Sequence, residues 1–535
     1  MRPIVVVGSG PSGVHFARTL LDAGRRVKLI DVGYRRPQPV LPGRRLDQLK
    51  EDLPDPISYF LGSDFDGITF PGNEGEYYGV PPGKSFVFDE PVGFAFRERG
   101  FAPLFSFAQG GLAEAWTGGV YPFNEAELTD FPFSFADIEP AYAEVARRIG
   151  VSGEIDDLSR FMPPHDHIMG PLELDRHSRV LLDRYARVRR RLNEGLGCWI
   201  GRSRLATLSR PHQGRGACTY LGRCLWGCPI DALYTPSSTL RECLENPDFE
   251  YVPDVYVTHF DYDARRRITA VNGRTGGGSP VRIETDVLAL AAGALNTARI
   301  FLESIFRETG EILRLPGLMD NQQVLVPFVN LDMIGIPFDP SSYQYHQLGL
   351  GLSVDDPRHY VHGQITTLKT TMVHPILQNL PLDLRASRSA FRRIRSALGL
   401  VNVNFHDTRR PTNVVTLAPR AGRESELVVE YEPAAGERLH IDGAIRRVRA
   451  ALLKLHCIAP RSMMHVRPKG ASVHYSGLLP MTNGGGTCTA GPDGRSRDFD
   501  NLFFADGATF PFLPAKNITF TLMANAVRMA RLTFS

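Results

Sequence analysis

A chain of 535 residues with 43% hydrophobic content is long enough to bury a large core, as two domains or as one interleaved pair. A formal net charge of +3 gives no electrostatic case for nucleic acid or for a strongly acidic partner. Seven cysteines, an odd count in so long a chain, point to reduced thiols rather than a disulfide framework. Only Met1, Arg2 and Pro3 precede the first predicted strand and no apolar run is long enough to span a bilayer, so a cytoplasmic location is expected.

The stretch from Ile4 to Asp31 reads IVVVGSGPSGVHFARTLLDAGRRVKLID. Four β-branched residues run into GSGPSG, then an Ala/Leu-rich helical pattern, then a second strand ending in an acid, which is a βαβ unit. Gly8 allows the tight turn, Gly10 lets the backbone approach a pyrophosphate, and Gly13 lets the helix pack on the strand. Ser9 and Ser12 lie in the same loop, at a helix N-terminus whose free N–H groups suit phosphate. Asp31 stands where a carboxylate accepts ribose hydroxyls. The unit predicts dinucleotide binding and leaves FAD and NAD both open.

From Arg35 to Gly100, PQPVLPG, EDLPDP, FPGNEGEYYGVPPG and DEPVG are rich in Pro and Gly and lack helical periodicity. This reads as an extended excursion, either a cover for the cofactor or a structural wrap, and not as an independent domain.

The stretch FSFAQGGLAEAWTGGVYPFNEAELTDFPFSFADIEPAYAEVARRIGVSG follows, from Phe105 to Gly153. Gly110 and Gly111 allow a backbone turn near a ligand, and Trp116 offers a flat apolar face beside it. The double glycine, Trp116-Thr117-Gly118 and the helix after them resemble the glucose-methanol-choline (GMC) flavin oxidoreductases, nearest to the branch of pyranose oxidase and the bacterial sugar dehydrogenases. That resemblance implies FAD, with Gly111, Trp116 and Thr117 beside it and Thr117 near the reactive edge of the flavin. Pyranose oxidase links its flavin through a histidine just before the equivalent tryptophan. Here that position is Ala115, which implies a non-covalent FAD.

Between Ser152 and Arg210 the pattern reads as mostly helical and basic, with VLLDRYARVRRRLNEGL presenting arginines on a solvated face. Cys218, Cys224 and Cys228 follow at intervals that do not match zinc knuckles, and no metal site is expected. The same string resembles the family's C…GC…A segment. It implies that YVPDVYVTHF is the strand touching the adenine half of FAD, through the backbone of Val255. Asp286–Ala291 reads as a buried parallel strand, and AAGALNTARIFLES, which contains Ala292, as a glycine turn entering a helix. From Arg307 to Arg467, QQVLVPFVNLDM, QLGLGLSV, HGQITTLKTTM, NVNFHD, NVVTLAP and ELVVEYEP alternate as an antiparallel sheet with one wet face. Within it, residues 384–398 carry an arginine-rich helix, either a solvated face or a weak contact for an anionic membrane surface or lipid-linked substrate.

The last seventy residues hold the most specific match. GASVHYSGLLPM resembles the family's H-x-x-G segment and implies His474 as the catalytic base. In NLFFADGATFPFLPAKNITFTLMANAVRMARL, Ala505, Asp506 and Gly507 resemble the pyrophosphate contact. Asn517 falls at the second catalytic position, and Ile518 and Thr519 open a helix aimed at the flavin. Leu478 and an added GGG loop depart from the family pattern.

The expected fold is α/β, a Rossmann-like FAD-binding domain with a parallel sheet, interleaved with an α+β substrate domain on an antiparallel sheet. The expected segments are 1–125, 211–306 and 468–535 for FAD, and 126–210 and 307–467 for substrate. The expected activity is oxidation of an alcohol, on a sugar or sugar-containing metabolite, with His474 taking the hydroxyl proton and Asn517 holding the oxygen. The alternatives are a GMC-like lyase or non-redox flavoprotein, a binding subunit or peripheral membrane protein acting on a lipid-linked or sterol-like alcohol, and an NAD-dependent dehydrogenase. The Asp506 segment returning to the nucleotide favours FAD.

Overall fold

A computed structural model describes residues 2–36, 43–63, 65, 80–369, 377 and 381–534. Most of PQPVLPG and FPGNEGEYYGVPPG, and the end of HGQITTLKTTM, lie outside the described residues.

The first βαβ unit folds as its residues dictate. Strand β1 (Ile4–Val7) leads into helix α1 (Pro11–Asp22), which starts with proline at its first position, and β2 (Val27–Ile30) follows. Three later strands join them: β3 (Phe249–Val252), β4 (Leu288–Leu290) and β5 (Leu502–Phe504). The sheet runs β5-β4-β1-β2-β3 and every pair is parallel. β1 and β4 are covered on both faces, which is why their sequences are continuous apolar runs rather than alternating ones. Two helices complete this half, α2 (Ala294–Thr309) after β4 and α3 (Thr519–Phe534) after β5. α3 packs against α1 and against the Phe135–Ile149 helix, where Tyr142 and Thr521 share a buried hydroxyl hydrogen bond of 2.8 Å. YVPDVYVTHF is two strands rather than one. β3 ends at Val252, and Tyr256–Tyr262 opens a separate three-stranded antiparallel sheet with Ile268–Arg274 and Pro280–Glu284.

The second half is built on a seven-stranded antiparallel sheet. Its main path runs Cys457–Ile458, Gln323–Asn330, Leu398–Asn404, Val361–Thr367, Leu348–Leu352, Cys198–Arg202, with His465–Val466 pairing alongside Gln323–Asn330. Val324, Val326, Ile365, Val401 and Val403 face one side and pack beneath the Arg176–Leu196 and Glu437–Lys454 helices, through Leu181, Leu192, Val448 and Leu452. Alternation then sends Gln323, Gln364 and Asn402 to the other side. The wet face expected from sequence is thus an interior wall rather than a solvent face.

Two expectations are corrected. Residues 414–418 and 426–430 do not extend the large sheet. They form a four-stranded sheet with Arg314–Pro316 and with Phe96–Arg99, so the long excursion supplies an edge strand there. Between Ser152 and Arg210 the one long helix is Arg176–Leu196, and the rest is turns and short strands. The arginine-rich stretch forms a helix over Leu384–Ile394, capped by the Asp383 carboxylate accepting from the Ala386 N–H at 2.9 Å. Ser387 and Phe391 dock it, while Arg385, Arg388, Arg392, Arg393 and Leu384 stay exposed. Among the described residues no helix is long and apolar enough to cross a membrane.

Candidate active site

The parallel sheet and the antiparallel sheet meet across a cavity of about 410 Å³. At its nucleotide end, Gly8 has φ +102 and an added Cβ there would lie 2.5 Å from the Ala291 carbonyl oxygen, so the turn out of β1 admits only glycine. An added Cβ at Gly10 would meet nothing within 4 Å, because Gly10 opens into the cavity at the start of α1, and α1 has no capping side chain. Gly111 faces it, with the ideal Cβ 3.5 Å from the Gly10 Cα. Gly13 does not line the cavity. Its ideal Cβ would lie 2.0 Å from the Gly8 carbonyl oxygen, so its role is helix-to-strand packing rather than cofactor contact.

Asp31 is buried at the end of β2. Burial pushes its carboxyl up to about 7, against hydrogen bonds that favour the anion. It accepts from the Ser9 hydroxyl and, at 3.4 Å, from the Tyr251 hydroxyl. Ser9 in turn accepts the Gly110 N–H at 2.8 Å, so it ties the GG turn to the βαβ unit. Ser12, Val255 and Ala292 line the same end, and the Val255 N–H donates to the Asp31 carbonyl at 2.9 Å.

Asp506 reaches the cavity with its carboxylate already engaged. It accepts from the Gly293 N–H at 2.9 Å, the Thr297 hydroxyl at 2.5 Å and the Ala508 N–H at 2.9 Å. A carboxylate cannot donate to a phosphate, so its visible work is to clamp the start of α2 to the end of β5. Burial raises it to about 6. Gly507 lines the cavity beside it.

Ala115, Trp116 and Thr117 also line the cavity. The Trp116 indole N–H donates to the Tyr234 carbonyl at 2.7 Å, and the Tyr343 hydroxyl donates to the Thr117 carbonyl at 2.7 Å, so both are held by buried tyrosines. His474 and Asn517 line the cavity as well, with His474 Nε2 3.4 Å from Asn517 Nδ2. Burial lowers His474 to about 4, with the nearby Arg467 charge adding to the effect, so the imidazole is neutral at pH 7 and keeps a lone pair. The Asn517 carbonyl oxygen accepts from Gln364 Nε2 at 2.7 Å, which turns the Asn517 amide N–H group toward the imidazole. Asn517 sits between Lys516 and the start of α3, and Ile518 and Thr519 line the cavity. Lys516 is fully buried and donates to Glu127 at 2.5 Å, to the Pro122 carbonyl at 2.8 Å and to the Phe161 carbonyl at 2.7 Å. These bonds fix the backbone that carries Asn517. The added GGG loop, residues 484–486, lies exposed at the surface and outside this cavity.

Among the cavity residues that went unread in the sequence are Gln323, Gln364, Asn402 and Arg467. Gln364 and Asn402 are directly opposite one another in the sheet, and Arg467 Nη1 donates to Gln323 Oε1 at 2.6 Å. Their signal was present only as polar residues alternating within short apolar strands.

Solved structures place the fold. Pyridoxine 4-oxidase from Mesorbium loti superposes with a TM-score of 0.58 at 14% identity, covering 100% of this chain and 99% of that one. Formate oxidase superposes with a TM-score of 0.60 at 12% identity, covering 99% and 97%. The architecture is therefore that of these two oxidases, a nucleotide half interleaved with a substrate half. Residues 368–526 match the family model described as GMC oxidoreductase, and with that match the protein is read as an FAD-dependent alcohol oxidoreductase. Among characterised relatives, 6'''-hydroxyparomomycin C oxidase of Streptomyces lividus is 24% identical over 99% of this chain and 90% of its own length. The fructose dehydrogenase large subunit of Gluconobacter japonicus is 22% identical over 56% of this chain and 53% of its own.

The residues fit the FAD that the family implies. Gly10 opens a space that any side chain would enter, α1 presents an uncapped N-terminus to it, and Asp31 supplies a buried carboxylate at the end of β2.

Proposed function

We propose that the protein oxidises a hydroxyl group of a sugar or sugar-containing metabolite, with FAD held non-covalently. The observation that carries this reading is the pairing of a neutral, buried imidazole with an amide N–H group, 3.4 Å apart, in the cavity that also contains the nucleotide-binding loop. His474 Nε2 takes the substrate hydroxyl proton. The imidazolium then has its charge buried, which favours return of that proton once the reaction is over. Asn517 Nδ2 donates to the substrate oxygen as negative charge develops on it, and Gln364 keeps the amide facing that way. FAD, when bound, supplies the hydride acceptor.

A polyhydroxylated substrate is supported by the amide wall. Gln323, Gln364 and Asn402 offer donors and acceptors from a rigid sheet, and each can serve a separate hydroxyl. By their names, the two characterised relatives act on 6'''-hydroxyparomomycin C and on fructose, whereas the two solved structures act on pyridoxine and on formate. Non-covalent FAD is supported by Ala115, whose methyl offers no nucleophile at the cavity wall.

One preparation tests both parts. Acid precipitation should leave the yellow colour in the supernatant, and a coloured pellet would refute non-covalent binding. Under anaerobic conditions the same protein should bleach with at least one member of a panel of sugars, polyols and glycosides. Bleaching by sterols or simple alcohols alone would sink the sugar assignment. Contact with an anionic membrane surface rests on the exposed arginines of the Leu384–Ile394 helix beside exposed Leu382 and Leu384. Protein that stays at the bottom of a flotation gradient with phosphatidylglycerol vesicles would dispose of it.

A further inference from the structure

The imidazole of His474 lacks the usual means of orientation. Its Nδ1 is buried without a hydrogen-bond partner among the described residues, and its Nε2 faces only the Asn517 amide. In most sites a carboxylate or carbonyl holds the second ring nitrogen. Here the direction of the ring falls to the backbone that carries it.

That backbone is a strained turn. Gly470 has φ +91, and an added Cβ would lie 2.4 Å from the Ala102 carbonyl oxygen. Three residues on, Val473 has φ +59. A β-branched residue in the left-handed region persists only where its surroundings fix it more strongly than its own preference. Those surroundings converge on Asp320, which is 1% exposed and lies across a two-residue antiparallel bridge from Tyr475. Its Oδ2 accepts the Gly470 N–H at 2.9 Å and its Oδ1 accepts the Ser472 hydroxyl. With its proton directed at Asp320, Ser472 Oγ presents a lone pair to the His474 N–H at 2.9 Å. The Tyr475 hydroxyl closes the turn, donating to the Gly470 carbonyl at 2.5 Å and accepting the Leu104 N–H at 2.8 Å. Ser472 and Val473 line the cavity, and Asp320 lies behind its wall.

We propose that Asp320 is a positioning residue for the base: through Gly470 and Ser472 it holds the Val473–His474 backbone in the strained turn that aims the imidazole at Asn517. The proposal rests on the reading of His474 as proton acceptor. It assigns no contact with substrate to Asp320. Ser472→Ala removes the acceptor for the His474 N–H, Ser472→Thr restores a hydroxyl, and Asp320→Asn keeps the shape while placing an amide N–H group against the Gly470 N–H or the Ser472 hydroxyl.

Two measurements decide it. The first is the limiting anaerobic rate of flavin reduction per bound flavin, with the sugar that bleaches the wild-type protein fastest. Ser472→Ala and Asp320→Asn should lower that rate on the order of 10- to 100-fold with normal flavin content, and with the half-saturating sugar concentration within about threefold of wild type. Ser472→Thr should recover most of the rate. The second is the substrate-free Cε1 resonance of the His474 ring in histidine-labelled protein, identified by its loss in His474→Ala. It should shift or broaden in Ser472→Ala and return in Ser472→Thr. Ser472→Ala with a wild-type rate and an unmoved resonance would overturn the proposal, even if Asp320→Asn does not fold. A His474→Ala protein with the wild-type rate would instead end the base assignment, and the resonance would still report whether Asp320 and Ser472 position the ring.

Discussion

His474→Ala is expected to slow flavin reduction by roughly 10²- to 10⁴-fold, the range contributed by a well-placed general base. Flavin content should stay near normal, because the His474 ring makes no hydrogen bond to any residue of the nucleotide-binding loop among the described residues. The expected loss is in the limiting rate more than in substrate affinity, since proton transfer is felt in the transition state. Asn517→Ala should also slow reduction and can disturb flavin binding, because Ile518 and Thr519 line the cavity next to it. Asn517→His, which keeps a ring N–H at about the same point, should retain partial activity. The competing view is that both side chains merely satisfy buried polar groups. Substitution would then lower stability and flavin content together, with no kinetic defect per bound flavin. A His474→Ala protein that reduces its flavin at the wild-type rate refutes the mechanism proposed above.

Gly10→Val is expected to give a folded protein without FAD. The backbone at Gly10, with φ −60 and ψ 175, is open to any residue, and the added Cβ meets nothing within 4 Å. The isopropyl group would stand in the cavity at the uncapped start of α1, where the pyrophosphate needs close approach to backbone N–H groups. Gly13→Val supplies the contrast. Its Cβ would lie 2.0 Å from the Gly8 carbonyl oxygen, so α1 could not seat on β1 and the chain should be insoluble. Absorbance at the flavin band against circular dichroism separates the outcomes. Normal flavin content in Gly10→Val would falsify the assignment of this loop to the cofactor.

What could be read from sequence was what is local. The βαβ unit, the parallel strand at Leu288–Leu290 and the terminal helix at Thr519–Phe534 each carry their pattern within a few turns, and each is found where expected. His474 and Asn517 were named from short motifs, and the fold brings their side chains to 3.4 Å across 43 residues of chain. The amide wall was not legible. Gln323, Gln364 and Asn402 matter because three strands align in register, and nothing within a seven-residue strand specifies its neighbours. Asp506 shows what a motif leaves out. Its motif was recognised, yet its carboxylate is spent on Gly293, Thr297 and Ala508, which only the packed structure discloses. The separate sheet at 414–430 was missed for the same reason, because its edge partner, Phe96–Arg99, lies in a stretch with no strand pattern of its own.

The order of the parallel sheet has a consequence for how the chain is made. β5 is its outermost strand on one side, and α3 then lies across α1, with Arg25 donating to the Phe534 carbonyl 509 positions later. During synthesis the face of α1 that α3 covers stays open until β5 and α3 have been made. The nucleotide pocket therefore cannot be completed before β5 and α3 emerge, and the apolar face of α1 must be shielded in the interval. Nascent chains stalled before Leu502 should bind no flavin and should engage a chaperone, whereas chains extended past α3 should let the cofactor lock α1 and α3 together.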